Sequence, residues 1–159
     1  MRNLWPEDFD KDENGTFFPE RILEYQAQEL KNMTKGNVIG EVTNTVPEFN
    51  AGLADDTFLN NKNIYTFVVK CSCNNDLNIF SISYDNHIYP LKIRVYDEIS
   101  DEIEKNLPKF IPNNGIYRIQ KYYNIENEEE FESILECIFN THAIKRILHF
   151  ETTKEVVQF

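Results

Sequence analysis

Glycine is scarce in this chain, with five in 159 residues. Loops that cradle phosphate need several glycines, and neither G-x-x-x-x-G-K-[ST] nor G-x-G-x-x-G occurs. Cysteine is scarcer still, three in all, and an odd number does not make a disulfide framework. Positive charge is short as well. Lys plus Arg total 16 against 27 Asp plus Glu, a formal net charge of −11. That argues against nucleic acid as a partner, because phosphate binding needs a basic footprint. It also disfavours adhesion to an anionic membrane. No apolar run approaches the ~18 residues of a membrane span, and the opening MRNLWPEDFDKDENG lacks the apolar stretch of a secretory signal. These absences point to a soluble protein of a reducing compartment, the cytoplasm. A basic protein partner is permitted rather than demanded, since many proteins are acidic for solubility alone.

What is present is enough for a core. Apolar residues make up 41% of the chain, with 12 Phe and 8 Tyr. The length suits a single domain, 1–159, in which 1–16 is a loosely attached arm. Its most ordered stretch is 64–96, which reads as three antiparallel strands. Asn74-Asn75 and Asp85-Asn86 lie between the runs, and Asn and Asp tolerate the positive φ of two-residue hairpin turns. Two such turns pair Tyr65 with Tyr84, Phe67 with Ile82, Val69 with Phe80, Tyr84 with His87, Ile82 with Tyr89 and Phe80 with Leu91. Phe80, Ile82 and Tyr84 then share one apolar face. Thr66, Lys70, Ser81, Ser83 and Lys92 fall on the other, wetter face. Pro90, which has no N–H for a ladder, marks the third strand as a sheet edge.

Elsewhere the elements read from periodicity and caps. Trp5-Pro6 and Phe9 are available to anchor the arm. Pro19 opens a helix whose stripe is Ile22, Leu23, Ala27, Leu30 and Met33, with Gly36 as its C′ residue. The helix PERILEYQAQEL (residues 19–30) resembles the opening helix of small acidic bacterial proteins of no assigned function. That resemblance implies no site and no activity. Val38, Gly40, Val42 and Val46 alternate as a first strand. A long polar connection, 47–63, follows. After the meander come a short acidic helix with Ile99, Ile103 and Leu107, and a fifth strand over 116–123. Next is a helix capped by Asn127 with Glu130 in the capping-box position and Phe131, Ile134, Leu135 and Ile138 as its stripe. Thr141 caps a last helix carrying Ile144, Ile147 and Leu148. The fold expected is α+β: a four- or five-stranded antiparallel sheet, the N-terminal helix packed on one face, and a helical C-terminus.

No constellation assigns a reaction. Asp10, Asp12 and Asn14 followed by Gly15 begin like a calcium loop. Arg21, however, stands where a bidentate Glu should close the shell, and an acidic arm leading into a helix N-terminus explains the same residues. Cys71 and Cys73 lie two apart on a strand, with Cys137 distant; without a second close pair, they read as buried thiols rather than zinc ligands. The derived pairing sets His87 beside Tyr84 and near Tyr65 at one end of the apolar face. The three could line a small-ligand pocket or supply an acid–base pair, or His87 could simply be a hydrogen-bonded residue at a hairpin mouth. His142 and His149 share a helix face. Most of the acidic groups Asp55-Asp56, the Asp97 to Glu104 run and Glu128-Glu129-Glu130 are solvated faces or helix starts; any could belong to a glycosidase-like pair, but no spacing selects one. Ser81 and Ser83 sit in a strand, not on a nucleophile elbow. No catalytic residue, cofactor or metal ligand is assigned.

Three functions follow as expectations. The first is a non-enzymatic, protein-binding factor, such as an acidic inhibitor or immunity-type protein against a basic partner. The second is a small-ligand or enzymatic module with a pocket near Tyr65, Tyr84 and His87. The third is a weak calcium-binding module through the 10–15 loop.

Overall fold

The computed structural model describes residues 1–44, 58, 61–70, 76–114 and 121–153. The elements run α1 (Pro19–Met33), β1 (Ile39–Thr43), β2 (Asn63–Lys70), β3 (Asp76–Tyr84), β4 (Leu91–Val95), α2 (Asp97–Asn106), β5 (Asn113–Asn114), β6 (Lys121–Ile125), α3 (Glu128–Phe139) and α4 (His142–Thr153). The strands form one antiparallel sheet in the order β1-β2-β3-β4-β6-β5, the two-residue β5 being a short addition at one edge. The protein is therefore α+β, with the N-terminal helix on an antiparallel meander and a helical C-terminus. No helix among the described residues is long and apolar enough to cross a membrane.

The meander is there, but its register differs from two-residue turns. Phe67 pairs with Phe80, Tyr65 with Ile82, and Ile82 with Ile93. The β3–β4 connection takes six residues, 85–90, because Pro90 cannot donate to a ladder and β4 starts only at Leu91. Pro90 thus lies outside the strand. Nor is β4 an edge: β6 pairs along its far side, Ile93 with Tyr123 and Leu91 with Ile125. The turn at Asn74-Asn75 and the cysteines Cys71 and Cys73 lie outside the described residues. Between Phe67 and Val68 the β2–β3 register shifts, leaving Ile79 as the extra residue of a bulge.

One sheet face is the core. Phe67, Phe80, Ile82, Leu91, Ile93, Val95, Tyr123 and Ile125 are all buried, and the helices cover them with Leu23, Ile103, Phe131, Ile134 and Ile138. Met33, the last residue of the expected α1 stripe, is instead 68% exposed. The second face is not wet where it was expected to be. Thr66, Ser81 and Ser83 are buried there, as is Arg94, whose guanidinium lies 4.4 Å from the ring of buried Phe58. Hydroxyl pairing makes this burial tolerable: Thr66 Oγ1 and Ser81 Oγ are 2.8 Å apart, and Asn61 Nδ2 donates to Ser83 Oγ at 2.9 Å. Lys70 remains exposed and pairs with Glu41 across the edge.

The helix ends follow local chemistry. Pro19 occupies the first turn of α1. Its C-terminus is closed by two left-handed residues, Lys35 (φ 54°) and Gly36 (φ 82°), with Gly36 N–H donating to Lys31 O at 2.8 Å. Lys35, not Gly36, therefore holds the C′ position of a Schellman motif, and Gly36 follows it. Asn127 Oδ1 accepts the Glu130 N–H at 2.8 Å, capping α3. At α4, Thr141 Oγ1 is a long 3.4 Å from Ile144 N, and the closer acceptor is Glu102 of α2, which takes the His142 N–H at 3.0 and 3.1 Å. Of the strand expected over 116–123, the described part runs on through Lys121–Ile125, and 115–120 lie outside the described residues.

Gly40 sets how closely α1 approaches β1. A Cβ there would sit 2.9 Å from Phe67 Cζ and 3.1 Å from Ala27 Cβ. Phe67 is 2% exposed, and its ring is packed against Phe80 and Phe139. Gly40→Ala is expected to cost about 1–3 kcal/mol by overpacking, read as a lower urea midpoint at an unchanged m-value.

Candidate functional site

The folded arm builds one wall of an open cleft. Gly15, at φ 78°, reverses the chain so that Lys11 bridges to Phe17. Asp12 closes this turn: its Oδ1 accepts the N–H groups of Asn14 and Thr16, each at 2.9 Å. The carboxylate expected as a calcium ligand therefore already caps backbone. Among the described residues, no three His, Cys, Asp or Glu side chains converge as a metal site. The arm is held to α1 partly by Arg21, whose guanidinium lies 5.2 Å from the Phe9 ring. Trp5 anchors nothing, being 81% exposed.

The opposite wall comes from the strand ends and the β3–β4 connection. Tyr65, Tyr84 and His87 all line this cleft, which has a volume of about 790 Å³. The tyrosine rings stack, with centroids 6.4 Å apart. The sequence did not anticipate Glu20, in the first turn of α1. Buried Tyr84 donates its hydroxyl to both Glu20 oxygens, at 2.7 and 3.0 Å. Burial first, and then the Glu20 hydrogen bond and charge, push the Tyr84 hydroxyl well above its ordinary value. Burial and Glu20 also raise Tyr65. Tyr84 is thus a proton holder rather than an acid poised to transfer. Exposed His87 makes no hydrogen bond among the described residues. The three are gathered in one place, but among the described residues His87 shares no hydrogen bond with either tyrosine. Glu20 has no local signature, because its partner is 64 positions away.

The other chemistry-bearing residues are dispersed. Cys137 is half-buried, and burial, reinforced by the Glu102 charge, pushes its thiol up, away from reactivity. His142 and His149 are exposed along α4. Ser81 and Ser83 are buried on the second sheet face, Ser81 against the Thr66 hydroxyl and Ser83 against the Asn61 amide. Asp55-Asp56 and most of the 47–63 connection lie outside the described residues.

A second cleft, with a volume of about 810 Å³, has no counterpart in the sequence reading. It opens over the apolar face of the sheet, between α1 on one side and α3 with α4 on the other. Phe67, Val69 and Ile79 form its floor. Periodicity could not reveal it, because a stripe that lines an open cleft and a stripe that fills a core look alike. No family model, curated protein or solved structure matches this chain.

Proposed function

We propose that the chain is a non-enzymatic binding protein that engages a basic protein partner, in the manner of an inhibitor or immunity factor. One observation carries this reading. Carboxylates from three separate segments gather around the polar cleft: Asp12 and Glu13 from the arm, Glu20 from α1 and Asp85 from the β3–β4 connection. The same arm exposes Leu4, Trp5 and Phe9, at 79%, 81% and 63%. Large apolar anchors next to charge make an interface hot spot, and Trp is among its commonest residues. A net charge of −11 adds a long-range field that steers a basic partner inward. The state of the tyrosines favours binding over catalysis, since Tyr84 spends its proton on Glu20.

The test is direct binding to the purified products of the genes adjacent to the one encoding this chain. A basic product should bind with an affinity that falls as salt rises. Trp5→Ala should weaken it by ~10-fold or more, and Glu13→Gln with Asp85→Asn should mainly slow association. Asp12 is left intact because it closes the turn. If no basic neighbour binds, or if neither variant alters the affinity, the reading is wrong.

A further inference from the structure

The cleft between α1 and the α3–α4 pair is independent of the polar cleft and has its own chemistry. Its floor is apolar and rigid: Phe67, Val69 and Ile79 are 2%, 4% and 4% exposed. The bulge in β3 puts Ile79 there, since a straight ladder would give that position to one face or the other by alternation alone. The walls continue the apolar surface through Leu30 of α1, Leu135 of α3 and Leu148 of α4. A volume of about 810 Å³ lies within the ~300–1,000 Å³ of small-molecule sites. The rim is not neutral. Glu29 stands on the α1 side, and Glu132 and Glu136, one turn apart on α3, stand opposite. Lys145 is the one cation among the described lining residues. Among the described residues, none of these three glutamates enters an ion pair. Two like charges at i and i+4 repel mildly, and a bound cation would relieve that repulsion.

We propose that this cleft is a binding site for an amphiphilic organic cation: an alkyl or aryl body lies on Phe67, Val69 and Ile79, and an ammonium head sits between Glu132 and Glu136. Charge complementarity selects this occupant over an anionic amphiphile, whose head would meet three carboxylates against one lysine. The apolar body supplies most of the affinity, and the rim decides its sign preference.

The experiment is calorimetric titration of the full chain at low ionic strength with decyltrimethylammonium below its micelle concentration, compared with decanoate and decanol. The expected result is saturable one-to-one binding of the cation and clearly weaker binding of the anion. The Glu132→Gln, Glu136→Gln double variant should lose ~10-fold in affinity for the cation and none for decanol. Leu30→Trp, with its fold checked by circular dichroism, should fill the cleft and weaken all three ligands. Equal binding of cation and anion, an unchanged cation affinity in the double variant, or no saturable binding would each overturn the proposal. So would tight binding of a basic amphipathic helical peptide with none of the small cation, which would make the cleft a protein groove.

Discussion

Phe67→Ala should cost about 3–5 kcal/mol, the range for deleting a fully buried aromatic ring, and should show as a large drop in urea midpoint. Three contacts place it at the top of that range. Its ring stacks on Phe80 with centroids 5.5 Å apart and an interplanar angle of 3°, and it tilts against Phe139 of α3, also at 5.5 Å. The same ring is the atom group nearest to Gly40, so it fixes how β1 and α1 meet. Removing it deepens the cleft whose floor it forms and strips the rings of Phe80 and Phe139 of their common neighbour. The coupling with Gly40 gives a sharper test. Gly40→Ala clashes with the Phe67 ring, so its cost should shrink once that ring is gone. The remainder reports the Ala27 contact, 3.1 Å from the added methyl. A double-mutant cycle should therefore be non-additive by ~1 kcal/mol or more. Simple additivity would mean that α1 and β1 are not held at that distance by the ring.

Phe67 also illustrates what was legible in the sequence. Its expected partner, Ile82, is replaced by Phe80, a slip of two, and Ile82 moves from Tyr89 to Ile93, a slip of four. Both slips are even, so the side chains on that side of the bulge stay on their own faces; beyond it Val69 meets Leu77 rather than Phe80, an odd slip that the extra residue Ile79 absorbs. The apolar set Phe80, Ile82 and Tyr84 was right although the pairing was not. Alternation reads faces; only turn geometry reads register, and the β3–β4 turn is six residues long. The caps were legible for a different reason. Asn127 and Pro19 act on groups within a few positions of themselves. Burial of the second sheet face was not legible, because Thr66, Ser81 and Ser83 look solvated until Thr66 meets Ser81 across strands and Ser83 accepts from the Asn61 amide. The site divides the same way. Tyr65, Tyr84 and His87 could be brought together from hairpin logic, since all lie near strand ends. Glu20 and the cleft over Ile79 depend on how α1 docks and on a bulge, and neither has a local signature.

Glu20→Ala should destabilise by about 2 kcal/mol, from a buried hydroxyl left unpaired and a favourable charge lost from a helix N-terminus. Tyr84 is 4% exposed, so water does not readily replace the carboxylate. Tyr84→Phe should cost less. It removes the hydroxyl and its need together, and half-buried Glu20 can rehydrate. That asymmetry is the test: if the phenylalanine variant is the less stable one, the ring packing is at fault and not the hydrogen bond. The pair also predicts behaviour in alkali. The ordinary tyrosine value is 10.0, and burial with Glu20 holds Tyr84 above it in the folded chain. Below that pH both states keep the proton and the contribution is fully present. Above it the unfolded chain releases the proton while the folded chain retains it. Stability must then fall as pH rises towards the folded value. Tyr65, Tyr89 and Tyr96 are shifted in the same direction, all with burial as the first cause, so their losses add. Urea midpoints from about pH 8 to about pH 11 should therefore decline for the parent chain. They should decline less steeply for Tyr84→Phe, which starts lower and has one buried phenol fewer to ionise. A profile that is flat across that window, or parallel in the two proteins, would mean that Tyr84 is not held protonated by its place against α1.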